Sequence, residues 1–254
     1  MHNPVKEKLA SGQVAVGTFL GIGHPDITER LSIVGFDWLL LDGEHGPLGF
    51  ETMQAMMQSM RGDSCSPIVR VQWNDPVIIK RALDIGAHGV LIPWVNNKEE
   101  AEAAVAACKY PPQGMRGCGP RRAALIGGGR DYIATANDSI LVAVQIETAT
   151  AVENIADILA VDGVDVAYIG PVDLCMSMFG VPAKWDDPAY LQAFDTVLEA
   201  AAKAGKPAGI YCSSGNIEWA IKKGFKFNSV DSDDAFLMTA ARAALVKARE
   251  AADK

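Results

Sequence analysis

Eight times along this 254-residue chain a short apolar run precedes a longer stretch of helical period, and this alternation constrains the fold more than any other feature. The runs are Val14–Leu20, Asp37–Asp42, Pro67–Val71, Gly89–Ile92, Leu141–Glu147, Asp165–Gly170, Pro207–Tyr211 and Phe227–Val230. They are too short for buried helices, and they are apolar on successive residues, as parallel strands covered on both faces must be. Between them the spacing predicts helices over Asp26–Val34, Phe50–Arg61, Pro76–Ile85, Lys98–Cys108, Ala149–Leu159, Pro188–Ala204, Asn216–Lys223 and Asp233–Ala251. Eight βα units in a chain of this length predict an α/β fold, a (β/α)8 TIM barrel, as one domain over residues 1–254.

Punctuation agrees with these boundaries. Gly35, Gly86, Gly205 and Gly224 each follow a helical stretch, where a left-handed cap suits glycine. Asp75 before Pro76 reads as a helix N-cap with proline at the first position. One piece is irregular: Tyr110–Asp138 is too long for an ordinary connection and is predicted to be a loop over the functional site.

Charge and composition exclude several classes of partner. There are 23 lysines and arginines against 31 aspartates and glutamates, a formal charge of -8, with no basic stripe to neutralise phosphates. Nucleic acid is not an expected partner. The five cysteines lie far apart without a Cys-x-x-Cys pair, so reduced thiols are expected rather than a disulfide frame or zinc ribbon. No apolar run is long enough to span a bilayer and the N-terminus has no apolar signal core, so the expectation is a soluble cytoplasmic protein that does not enter membranes.

In a barrel of this kind the chemistry sits where the strands end. Leu39-Leu40-Leu41 runs into Asp42-Gly43-Glu44-His45, Ile68-Val69 into Arg70, Val144 into Gln145-Ile146-Glu147, and Ile169 into Gly170-Pro171-Val172-Asp173. A single charged strand end is as often a solvated cap as a functional group. Four that converge in one mouth are less easily solvation alone. Glu147 and Asp173 are natural ligands for a hard cation, because two carboxylates leave Mg²⁺ or Mn²⁺ positions for water and substrate oxygens. His2 and His24 read as solvated residues, and His88, before the fourth strand, lies at the face concerned with stability. The methionines of the second helix read as packing, and Gly127–Gly129 lacks the strand and helix that a phosphate loop needs.

These strand ends, in this order, resemble those of the HpcH/HpaI family of class II pyruvate-dependent aldolases. The type reaction of that family is retro-aldol cleavage of 4-hydroxy-2-oxoheptanedioate to pyruvate and succinate semialdehyde. The likeness also covers Gly17–Leu20, Lys80–Ala87 and Tyr110–Gly117. It implies a divalent metal (Mg²⁺, Mn²⁺ or Co²⁺) held by Glu147 and Asp173. Gln145 and the backbone of Val172 and Asp173 would bind the 2-oxo acid. His45 would be the base, Asp84 would raise its basicity, and Arg70 would steady the enolate oxygen. Because Asp84 ends a helix that runs toward the bottom of its own barrel, pairing with His45 between subunits is the alternative to pairing within one.

The resemblance further implies small-molecule substrates, a 2-oxo acid (pyruvate or hydroxypyruvate) and an aldehyde, and a homo-oligomer, a hexamer, that exchanges its last helix between subunits. Arg121 and Arg122, in a stretch where the family has small residues, suggest an anionic acceptor end. Cys212 stands where the family is often aliphatic and the aldehyde is thought to touch. The alternatives are a lyase of citrate-lyase type or a 2-oxo acid decarboxylase using the same centre, and, from another class, a ligand-binding barrel without catalysis.

Overall fold

A computed structural model describes residues 2–62 and 64–253. Eight parallel strands close a barrel in sequence order: β1 (Ala15–Leu20), β2 (Trp38–Asp42), β3 (Ser66–Arg70), β4 (Gly89–Ile92), β5 (Leu141–Ile146), β6 (Val166–Ile169), β7 (Ala208–Cys212) and β8 (Phe227–Ser232). The predicted strands all form, displaced by a residue or two at their ends. The helices are α1 (Pro4–Ala10), α2 (Pro25–Ser32), α3 (Phe50–Ser59), α4 (Pro76–Asp84), α5 (Lys98–Cys108), α6 (Arg121–Ile126), α7 (Tyr132–Ser139), α8 (Ala149–Glu153), α9 (Ile155–Ala160), α10 (Pro171–Phe179), α11 (Pro188–Ala204), α12 (Ile217–Lys223) and α13 (Asp233–Ala252). The predicted helix over Ala149–Leu159 is broken at Asn154 into α8 and α9.

Side chains alternate along a strand, so each strand sends every second residue inward. Trp38, Leu40, Ile68, Leu91, Leu141, Ala143, Val166, Tyr168 and Phe227 fill the barrel with Phe19 as one apolar cluster. Val5 and Leu9 of α1, a helix the sequence reading missed, join this cluster from below. Trp38 stacks on Phe227 with ring centroids 4.3 Å apart. The indole fits because residue 17 is glycine: a Cβ there would lie 2.1 Å from the ring. The same alternation carries Asp42, Arg70 and Gln145 inward one step above the apolar layers, so the barrel is dry below and charged at its mouth.

The segment Tyr110–Asp138 corrects an expectation. It carries α6 and α7 instead of an open loop, and it does not cover the mouth. It follows α5, which runs antiparallel to the strands and delivers the chain to their N-terminal ends. There Arg122 donates to the carbonyl of Ile85 at 2.7 Å, and Asn3 binds the carbonyls of His88 and Ser139 at 2.8 and 2.6 Å. Arg121 and Arg122 therefore stand far from any acceptor pocket in the same chain. His88 is at this face, and burial lowers its pKa to about 4.

The last helix, α13, follows β8 without a loop. Its first residue, Asp233, is buried and accepts the N–H groups of Gly21 and Ile22, both at 2.9 Å, which ties β8 to the end of β1. Beyond that tie the helix is exposed, with Leu237, Met238, Leu245 and Val246 all about half open to solvent. Among the described residues no helix is long and apolar enough to cross a membrane.

Candidate active site

The mouth holds a cavity of about 550 Å³ lined by His45, Arg70, Gln145, Val172 and Asp173, with Asp42, Phe19, Tyr168, Tyr211 and Asp234 among the other walls. A second cavity, of about 510 Å³ at the opposite end, contains none of the strand-end residues named above.

Arg70 ends β3 and is almost fully buried. Its Nε and Nη2 donate to the two oxygens of Asp42 at 2.8 and 2.6 Å, which is possible because Asp42 and Arg70 are register partners on neighbouring strands. Nη1 stands 3.2 Å from Glu44 Oε2, an ion pair without hydrogen-bond geometry. The guanidinium lies 5.0 Å over the Phe19 ring. Burial would disfavour the charge, but Asp42 and Glu44 outweigh it and the Arg70 pKa rises. Asp42 in turn is held below its ordinary pKa, with Arg70 and the N–H groups of His45 and Glu44 overcoming burial.

Glu147 accepts the Trp94 N–H at 2.7 Å and a bond from Gln145 Nε2, yet burial, with Glu44 and Asp173 nearby, pushes its pKa up to about 7. Burial does the same to Glu44, again to about 7: Arg70 pulls the pKa down and the charges of Asp42 and Asp173 push it up. Asp173 is in the first turn of α10, a helix started by Pro171 and not expected from the sequence. Gly170 precedes it closely against Glu147: a Cβ would lie 3.0 Å from Glu147 Oε2 and 2.9 Å from Gln145 Nε2.

This donor set fits a divalent cation. The charges of Glu44 and Asp173 both act on Glu147, and Arg70, which is bound to Asp42, offsets Glu44 alone. Gln145 Oε1 and Glu44 Oε2 are buried without hydrogen-bond partners. Among the described residues no group of three or more His, Cys, Asp or Glu side chains is arranged to hold a metal. Two carboxylates completed by water and substrate oxygens need no third.

His45 is at the rim, its side chain 65% exposed and its Nε2 3.9 Å from Glu44 Oε2. Asp84 does not join it. Its carboxylate accepts from Arg116 Nη2 at 2.7 Å, and Arg116 is fully buried, 4.5 Å from the Tyr110 ring and hydrogen-bonded to Tyr132. Cys212 is also absent from the cavity: Ala208, Ile210 and Cys212 face the helices, and Tyr211 takes the inward position. Asp42, Glu44, Tyr168 and Tyr211 were missed as site residues. Asp42 and Glu44 stand in the same strand-end motif as His45, and period two from Trp38 would have turned Asp42 inward.

The HpcH/HpaI aldolase/citrate lyase family model matches residues 15–240, from the first strand into the last helix. The chain belongs to this family. The 5-keto-4-deoxy-D-glucarate aldolase of Shigella boydii serotype 18 (strain CDC 3083-94 / BS512) is 43% identical over 209 residues, 82% of this chain and 81% of that protein. A solved HpcH/HpaI aldolase/citrate lyase family protein from Burkholderia cenocepacia J2315 superposes with a TM-score of 0.93 at 32% identity, covering 97% of this chain and 99% of that one. A citrate synthase superposes with a TM-score of 0.88 at 26% identity over 100% of both chains. As a member of this family the protein is an aldolase or related lyase, and the barrel mouth, with its cluster of carboxylates around Arg70, is its candidate active site.

Proposed function

We propose that the protein is a divalent-metal-dependent aldolase that cleaves and forms 4-hydroxy-2-oxo acids from pyruvate or hydroxypyruvate and an aldehyde. The observation that carries this reading is the buried Glu147 carboxylate, fixed by the Trp94 N–H and Gln145 with Asp173 close enough to repel it, and its pKa pushed up to about 7 by that burial. Glu147 and Asp173 would hold the ion, which when bound supplies a Lewis acid for the ketone and carboxylate of the 2-oxo acid.

The remaining work falls to the chain. Gln145, fixed by its bond to Glu147, and the N-terminus of α10 at Val172 and Asp173 bind and orient the 2-oxo acid. His45, at the rim with room to move, takes the proton of the substrate's C4 hydroxyl. The C3–C4 bond then breaks, C4 leaves as the aldehyde, and the electron pair spreads from C3 onto the C2 oxygen. Arg70 places fixed positive charge where that oxyanion develops, and its grip by Asp42 means the donor needs no reorganisation during the step. Return of a proton to C3 gives pyruvate.

The similarity to the S. boydii enzyme makes 5-keto-4-deoxy-D-glucarate the first substrate to try, and retro-aldol cleavage would release pyruvate and a three-carbon aldehyde acid. Pyruvate release that stops with EDTA and returns with Mg²⁺, Mn²⁺ or Co²⁺ is expected. Full activity in excess EDTA, or borohydride trapping of a pyruvate adduct on a lysine, refutes the reading. A second reading, a citrate-lyase-like lyase or 2-oxo acid decarboxylase, is favoured by the full-length likeness to a citrate synthase. Citrate cleavage and oxaloacetate decarboxylation assays separate it from the first.

The exposed apolar face of α13 supports a homo-oligomer in which this helix packs on a neighbouring barrel, and the family resemblance is the ground for making that oligomer a hexamer. In such an assembly Asp84 would serve the His45 of a neighbouring subunit.

A further inference from the structure

Between β4 and α5 the chain crosses the rim of the barrel, and there it does something costly. Trp94 has φ +57°, in the left-handed region that a bulky side chain rarely adopts, and among the described residues only Asp231 shares this with it outside glycine. The indole does not hold the conformation by burial. It is 45% exposed and leans on Trp73, itself open to solvent, with centroids 6.2 Å apart.

Asn96 holds it. The Asn96 Nδ2 donates to the Trp94 carbonyl at 2.9 Å and to Glu100 Oε2 at 3.3 Å, and its backbone N–H donates to the same Glu100 oxygen at 2.7 Å. The Asn96 Oδ1 accepts the hydroxyl of Thr148, the residue after Glu147, and its carbonyl accepts Asn154 Nδ2 at 2.9 Å. Every polar group of this asparagine is therefore used, on the turn that contains Trp94, on Glu100 of α5, or on the segment that follows Glu147. What the turn delivers is the Trp94 N–H, placed 2.7 Å from Glu147 Oε1.

We infer that Asn96, braced by Glu100, is a positioning residue: it locks the left-handed turn at Trp94 so that this N–H, together with Gln145, fixes which way the Glu147 carboxylate faces. This rests on the reading of Glu147 as a metal ligand. A carboxylate whose second contacts are fixed before a cation arrives binds it without losing rotational freedom, and loss of such an outer contact costs about 10–100-fold in metal affinity.

The test has two arms. In metal-free protein, hydrogen exchange read by mass spectrometry is expected to show a protected Trp94 amide. That protection should fall at least about tenfold in Asn96→Ala and Glu100→Ala, and it should survive in Glu100→Gln, which keeps an oxygen acceptor for Asn96. In the second arm, Mn²⁺ titration by calorimetry is expected to give a Kd raised about 10-fold or more in Asn96→Ala. Glu100→Gln and Trp94→Gly should stay near wild type, because glycine tolerates the left-handed turn and keeps the N–H. Unchanged protection of the Trp94 amide in Asn96→Ala overturns the inference whether or not metal binds. Unchanged Mn²⁺ affinity in that variant also overturns it. A wild-type protein that takes up no Mn²⁺ refutes the metal reading itself, while the exchange arm still decides whether Asn96 locks the turn.

Discussion

Asp42 and Arg70 face each other across neighbouring strands and share two hydrogen bonds, of 2.8 and 2.6 Å, that hold the guanidinium plane still at the floor of the mouth. A lysine at position 70 would supply charge without the planar fork. Arg70→Lys is expected to lower kcat by about 10²-fold or more, in line with the loss of one oxyanion donor. Asp42→Asn, which removes the charge that keeps Arg70 in place, should lower kcat in the same direction. Steady-state kinetics of pyruvate release check both, and near-wild-type turnover in Arg70→Lys would remove Arg70 from the chemistry.

The raised carboxylates give a pH signature. Folded-state values near 7 for Glu147 and Glu44 lie above the ordinary 4.5, so in metal-free protein the proton stabilises the fold. That contribution is complete below about 4.5 and is lost as pH rises through about 7. Buried His88, lowered to about 4, acts the other way: its contribution is present above 6.5 and lost as pH falls toward 4. Because a cation held by Glu147 must displace its proton, the difference between Tm with saturating Mn²⁺ and Tm in EDTA should widen from pH 5 to pH 8. A difference independent of pH would show that Glu147 does not hold the ion.

Arg116 has no exposed side-chain surface, and Asp84 is its carboxylate partner. Breaking a buried ion pair leaves an uncompensated charge, at a cost of about 3–5 kcal/mol. Asp84→Ala is therefore expected to lower stability by about that amount in urea denaturation, apart from any effect on the rate. An unchanged midpoint would mean that Arg116 finds another anion and that Asp84 is free to serve only the chemistry.

The exposed face of α13 should be buried in the native assembly. Paired substitutions Leu237→Glu and Leu245→Glu are expected to shift the protein in sedimentation from an oligomer toward the 27.0 kDa chain. A wild-type protein that sediments as a monomer at micromolar concentration would refute the proposed exchange.

The sequence by itself determined the barrel, because strands covered on both faces are apolar on successive residues and their ends stand out as abrupt charge. His45, Arg70, Gln145, Glu147, Val172 and Asp173 were legible for that reason. The inward turn of Asp42 was legible in principle from the alternation that starts at Trp38. Other features depended on where elements meet in space. The stretch Tyr110–Asp138 looked like a lid by length alone, yet α5 delivers it to the far end of the barrel, where Arg116 takes Asp84. Cys212 and Tyr211 are neighbours in the chain, and only the closed sheet decides that Tyr211 faces the cavity. The Asn96 bonds join residues as much as 58 apart, and the shifts of Glu44 and Glu147 come from burial first, with the charges of Asp42 and Asp173 adding to Glu44 and those of Glu44 and Asp173 adding to Glu147. Such effects are set by distance and desolvation, which no local pattern of residues encodes.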